Sequence, residues 1–100
     1  MNDTDLQPFR ELASDLRRLT SAAHELYAVE VATIIDTGSR DTSQIERVLD
    51  GLLDFCFETS MVTLYRTLCR YYFTLNPQAT IAYVHAYRDM WDNEAEASDE

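Results

Sequence analysis

Six apolar residues, Phe9, Leu12, Leu16, Leu19, Ala23 and Leu26, follow one another at spacings of 3, 4, 3, 4 and 3. Residues so spaced share one face of an α-helix, and on a β-strand they would scatter over both faces. The stripe then drifts through Tyr27, Val31, Ile34 and Ile35, as a straight helix drifts against a strict heptad. Asp5 is placed to cap the start, Pro8 falls in the first turn, and Gly38 stands where a left-handed C-terminal cap belongs. The reading is a helix from about Asp5 to Thr37, spanning about 45 Å at 1.5 Å per residue.

Three shorter helices account for the rest, each about 20–25 Å long. The first covers about Ser43 to Phe57, with Ser43 and Glu46 as a capping box, Asp41 and Thr42 as competing caps, and Ile45, Val48, Leu49, Leu52, Leu53 and Cys56 facing inward. Gly51 inside it marks either the close approach of another helix or a kink. The next runs from about Ser60 to Leu75, capped by Thr59 or Ser60. Its boundary rests on a slip of apolar register between Cys56 and Met61, and one continuous helix from Ser43 to Leu75 is the alternative. Asn76-Pro77 is an N-cap followed by proline at the first helical position, and the last helix continues to about Asp92.

Glycine and proline together number four in 100 residues, where average composition gives about twelve. The corners of a sandwich or barrel cannot be built from so few. The expected fold is all-α: four helices, one long and N-terminal, three shorter, in an irregular or bundle-like antiparallel array. Residues 1–92 form one domain and 93–100 a disordered acidic tail. No short successor covers the whole stripe of the first helix. Either two later helices lie end to end along it, or a second copy of the chain covers what is left. A homodimer through this helix is therefore expected.

Eighteen acids oppose eight bases, all of them arginine, for a net charge of −10. The absence of lysine removes Schiff-base chemistry and the phosphate-loop lysine. Six acids (Asp89, Asp92, Glu94, Glu96, Asp99 and Glu100) crowd the last twelve residues. Such a balance repels nucleic acid and anionic membrane surfaces. No apolar run reaches the length of a membrane span, and the opening Met1-Asn2-Asp3-Thr4-Asp5 is acidic where a secretory signal is basic. The chain reads as soluble and cytoplasmic. Cys56 and Cys69 read as reduced core thiols.

Chemistry is sparse. His85 and Asp89 share i,i+4 spacing but lack further ligands, no Glu-x-x-His pair supports a di-metal bundle, and no GxSxG or glycine-rich loop occurs. No catalytic residue, cofactor or metal is assigned. Two candidate partner surfaces remain. Glu46, Asp50, Asp54 and Glu58 form an acidic i,i+4 ladder, which Arg47, Arg66 and Arg70 are placed to answer. Tyr83, Tyr87 and Trp91 form an aromatic stripe near Arg66, Arg70 and Arg88, of the composition that binding hot spots favour. The plainer reading of the stripe is the sealed edge of the core.

The strings Ile45–Phe57, Leu68–Phe73 and Tyr83–Trp91 resemble small uncharacterised helical proteins associated with bacterial conjugative elements, over roughly Tyr27 to Asp92. The resemblance implies a bacterial cytoplasmic setting and a mobile-element context, and it transfers no catalytic residue, ligand or partner. The expected function is a non-enzymatic protein–protein interaction or regulatory module that self-associates, its other protein partner unidentified. The alternatives are an acidic nucleic-acid mimic that occupies the basic groove of a DNA-handling protein and, less favoured, a carboxylate-metal enzyme.

Overall fold

The computed structural model describes residues 3–92, which form four α-helices and contain no strand. The helices are α1 (Asp3–Asp36), α2 (Thr42–Leu53), α3 (Thr59–Leu75) and α4 (Pro77–Trp91). The tail expected at 93–100 lies outside the described residues.

α1 is one unbroken rod of 34 residues, about 51 Å long, and it sets the long axis of a molecule measuring 55 × 39 × 17 Å. It begins two residues before the cap expected at Asp5, so Pro8 lies beyond the first turn, where its missing N–H removes one helical hydrogen bond. Gly38 ends it at φ 62°, with Ser39 N–H donating to Ile34 O at 2.9 Å and Gly38 N–H to Ile35 O at 3.1 Å. These two bonds are the paired closure of a Schellman motif.

The boundaries of α2 and α3 depart from the sequence reading. Asp41, rather than the Ser43–Glu46 box, caps α2, accepting from Gln44 N–H at 3.1 Å. α2 stops at Leu53, four residues short of Phe57, and tight turns carry the chain from Asp54 to Glu58. Phe55 and Phe57 are apolar and continue the helical pattern in sequence. In space their rings link neighbouring elements: Tyr27 to Phe55 at 6.4 Å, Phe55 to Phe57 at 6.3 Å, and Phe57 to Trp91 at 6.0 Å between centroids. α3 is entered from Glu58, whose side chain makes no cap hydrogen bond, so neither Thr59 nor Ser60 is the cap. At Asn76-Pro77 the reading holds: the Asn76 side chain accepts from Ala79 N–H at 3.0 Å.

α3 is the central element. Its Met61, Tyr65, Leu68, Cys69 and Tyr72 are buried against α2 and the C-terminal half of α1, and α4 packs on its other side. Three α3 tyrosines fasten three different neighbours. Tyr65 donates to Tyr83 O of α4 at 2.8 Å, Tyr71 to Ser39 O of the α1–α2 turn at 2.6 Å, and Tyr72 to the Glu46 carboxylate of α2. Both cysteines are buried free thiols.

Candidate functional site

The apolar seam of α1 forks. From Thr20 onward one branch turns inward, and Thr20, Val31 and Ile34 are buried with Ala23 and Tyr27 partly so. Thr20 is tolerated in this position because its hydroxyl donates to Leu16 O at 2.8 Å. The other branch stays in solvent: Phe9 is 69% exposed, Leu12 67%, Leu16 47%, Leu19 65%, Leu26 70% and Val29 66%. Helices α2 and α3 account for the inward branch, and among the described residues the α2–α3 junction reaches only Leu16 of the outward one. The sequence reading followed the inward branch after Leu26 and missed that Ala22 and Val29 extend the outward one.

Between Ala13–His24 of α1 and Phe57–Ser60 of the α2–α3 junction runs an open groove, lined by Leu16, Arg17 and Thr20 among others. The ten residues of α1 before it project past the junction, so the N-terminal third of the rod is an overhang.

A second surface lies between α3 and α4. Arg66, Arg70 and Arg88 rim a cleft of about 350 Å³ whose floor is Val62, Tyr65, Cys69, Val84 and Tyr87, with Asp92 at one end. Tyr65 and Tyr87 stack at 5.9 Å within it. None of the three arginines has an ion-pair partner among the described residues, whereas Arg18 pairs with Asp15 and Arg47 with Glu30. The floor was missed in the sequence, although Val62, Arg66 and Arg70 on α3 and Val84, Arg88 and Asp92 on α4 both repeat at i,i+4.

The acidic ladder does not survive as a unit. Glu46 and Asp50 lie on α2, Asp54 is its C-cap, and Glu58 belongs to the start of α3. Tyr72 donates to the Glu46 carboxylate, and Tyr83 donates to Asp50 Oδ1 at 2.9 Å. Burial, and then the neighbouring carboxylates, raise the ionisation of both phenols, that of Tyr72 to about 12. Both therefore stay protonated donors at neutral pH. Arg47 pairs with Glu30 of α1 at 3.1 Å, while Arg66 and Arg70 face the cleft, so these arginines do not answer the ladder.

The aromatic stripe also turns inward. Tyr83 holds Asp50, Tyr87 stacks on Tyr65, and Trp91 Nε1 donates to Leu53 O at 2.7 Å, satisfying a carbonyl at the end of α2. Tyr83 and Tyr87 seal the edge of the core, Trp91 stays exposed over the end of α2, and only Tyr87 also lines the cleft.

Among the described residues no three His, Cys, Asp or Glu side chains gather closely enough to hold a metal ion, and His85 and Asp89 are both exposed. No described helix is long and apolar enough to cross a membrane. The fold and its two surfaces define an all-α protein of four unequal helices with an apolar overhang and a cationic cleft. No family model, curated protein or solved structure matches the chain.

Proposed function

We propose that the chain is a non-enzymatic interaction module that works as a homodimer, with α1 as the self-association surface. The observation that carries this reading is the row of exposed leucines, Leu12, Leu16, Leu19 and Leu26, with Phe9 before and Val29 after them. Monomeric proteins rarely leave contiguous apolar patches larger than about 300–600 Å². A large apolar side chain offers on the order of 100 Å², so six offer roughly 600 Å² per chain. That approaches the ~800 Å² per partner of an interface of standard size. The overhang also explains why so small a chain devotes a third of its length to one helix, which its own core uses only in part. Light scattering at micromolar concentration tests the reading. A mass twice the 11.6 kDa of the chain supports it, and a mass of 11.6 kDa throughout rejects it.

A second surface would serve a different partner. Arg66, Arg70 and Arg88, unpaired among the described residues and set over an apolar floor, suit an acidic peptide segment carrying an apolar side chain. The nucleic-acid mimic is the weaker alternative, because Glu46 and Asp50 are held by tyrosine hydroxyls instead of standing free in a phosphate-like row. The carboxylate-metal enzyme has no ligand cluster among the described residues to support it. The bacterial mobile-element setting rests on the sequence resemblance alone.

A further inference from the structure

The exposed branch of α1 has a symmetry of its own. From Phe9 to Val29 its apolar positions are Phe9, Leu12, Leu16, Leu19, Ala22, Leu26 and Val29, at spacings of 3, 4, 3, 3, 4 and 3. The series reads the same in both directions, and its centre is Leu19. From this palindrome we infer that two copies pair antiparallel through α1, with the twofold axis passing at Leu19. The inference rests on the self-association proposed above and adds its direction and register.

An isologous interface requires that if residue i meets residue j of the partner copy, then j meets i. With the axis at Leu19, Phe9 of one copy stands level with Val29 of the other, Leu12 with Leu26, Leu16 with Ala22, and Leu19 with itself. Each position of the series then finds an apolar position opposite, and Leu6, exposed one turn before it, falls level with Ala32. Large residues meet smaller ones at two of the levels, as interdigitating packing needs. The stripe advances by less than 3.6 residues per turn, so it slants round the rod and the two helices wrap across one another with a left-handed sense.

The flanking charges leave this register open. In the antiparallel register Asp15 is level with Ala23, Arg18 with Thr20, Glu25 with Ala13 and Glu11 with Tyr27, so no two like charges share a level. The body of each copy leaves most of this contact open, because α2 and α3 pack on the inward branch and reach the outward one only beside Leu16.

Cysteine cross-linking of the full chain reads the register directly. The native Cys56 and Cys69 are buried and add little background. Under mild oxidation, L19C is expected to form a disulfide-linked dimer by itself. L12C and L26C are each expected to cross-link at least tenfold more slowly alone than when mixed, because an antiparallel pair sets two copies of residue 12 about 21 Å apart along the axis. Light scattering on the same unoxidised samples separates the two ideas. A dimeric mass with rapid L12C–L12C linkage overturns the antiparallel register and leaves self-association standing. A dimeric mass with no L19C linkage also overturns the register. A monomeric mass for the wild-type chain removes self-association and the register together.

Discussion

The ring of Tyr27 on α1 lies directly over Gly51 on α2: a Cβ at position 51 would fall 2.8 Å from Tyr27 Cζ and closer still to its hydroxyl. Gly51 sits mid-helix, where glycine costs about 1 kcal/mol relative to alanine. The close approach of α1 is what makes that cost worthwhile. Gly51→Ala is therefore expected to destabilise the wild-type chain by about 1–2 kcal/mol, the clash outweighing the gain in helix propensity. In a Tyr27→Ala background the obstruction is gone, and the same substitution is expected to stabilise by up to about 1 kcal/mol. Urea denaturation of the four variants measures the cycle; no change of sign would mean that Tyr27 does not set the requirement at 51.

Trp91 closes the chain of aromatic contacts that starts at Tyr27. Trp91→Phe keeps a ring beside Phe57 but removes the donor to Leu53 O, and a loss of about 1 kcal/mol is expected. Trp91→Ala loses the ring as well and is expected to cost about 2–3 kcal/mol, tempered by the partial exposure of the site. Equal losses from the two substitutions would show that the ring contact contributes nothing.

Alkaline pH should weaken the fold in a defined window. Burial pushes the thiols of Cys56 and Cys69 from about 9 up to about 11, with Cys69 adding to the effect on Cys56, and burial with the Glu46 bond pushes Tyr72 from about 10 to about 12. Each group is neutral when protonated and has its folded value raised. The stability it contributes is thus fully present below the unfolded value and is lost as pH climbs toward the folded one. The urea midpoint is expected to be flat from neutral pH to about 9 and to fall steeply from there to about 11. Cys56→Ser/Cys69→Ser should flatten the first part of that fall. Native thiols that react with Ellman's reagent near pH 8 as fast as a free cysteine would contradict their burial.

The α3–α4 cleft gives a charge-based expectation. A fluorescent peptide of glutamate and leucine should bind the wild-type chain, and Arg66→Gln/Arg70→Gln/Arg88→Gln should weaken it at least tenfold. The helical circular dichroism should be unchanged, because all three side chains are exposed. Raising salt from about 50 to 300 mM should weaken binding in the wild-type chain far more than in the variant. Binding that survives the triple substitution would remove the cleft as the site.

What was legible in the sequence was local. Gly38 and Asn76-Pro77 announce their helix ends because a positive φ and a proline nitrogen act on the backbone where they stand. The end of α2 was not legible: Phe55 and Phe57 continue the apolar pattern, and the rings they meet, Tyr27 and Trp91, are distant in sequence. The acidic ladder failed for a similar reason, since the hydroxyls that hold Glu46 and Asp50 come from α3 and α4. The length of α1 and its surplus of apolar surface could be read from spacing. The fork at Thr20 could not, because one helical stripe does not say which of its edges the rest of the chain will cover.

Sedimentation equilibrium of the wild-type chain beside Leu19→Arg tests most directly whether a second copy covers α1. Leu19 is exposed in the single chain, so the fold and its helicity should be untouched. In a dimer centred on Leu19 the substitution sets two guanidinium groups against each other at the twofold axis. The expected result is twice 11.6 kDa for the wild type and 11.6 kDa for the variant, with identical circular dichroism. A wild-type chain that sediments as a monomer at every concentration, or a variant that stays as dimeric as the wild type, would contradict it.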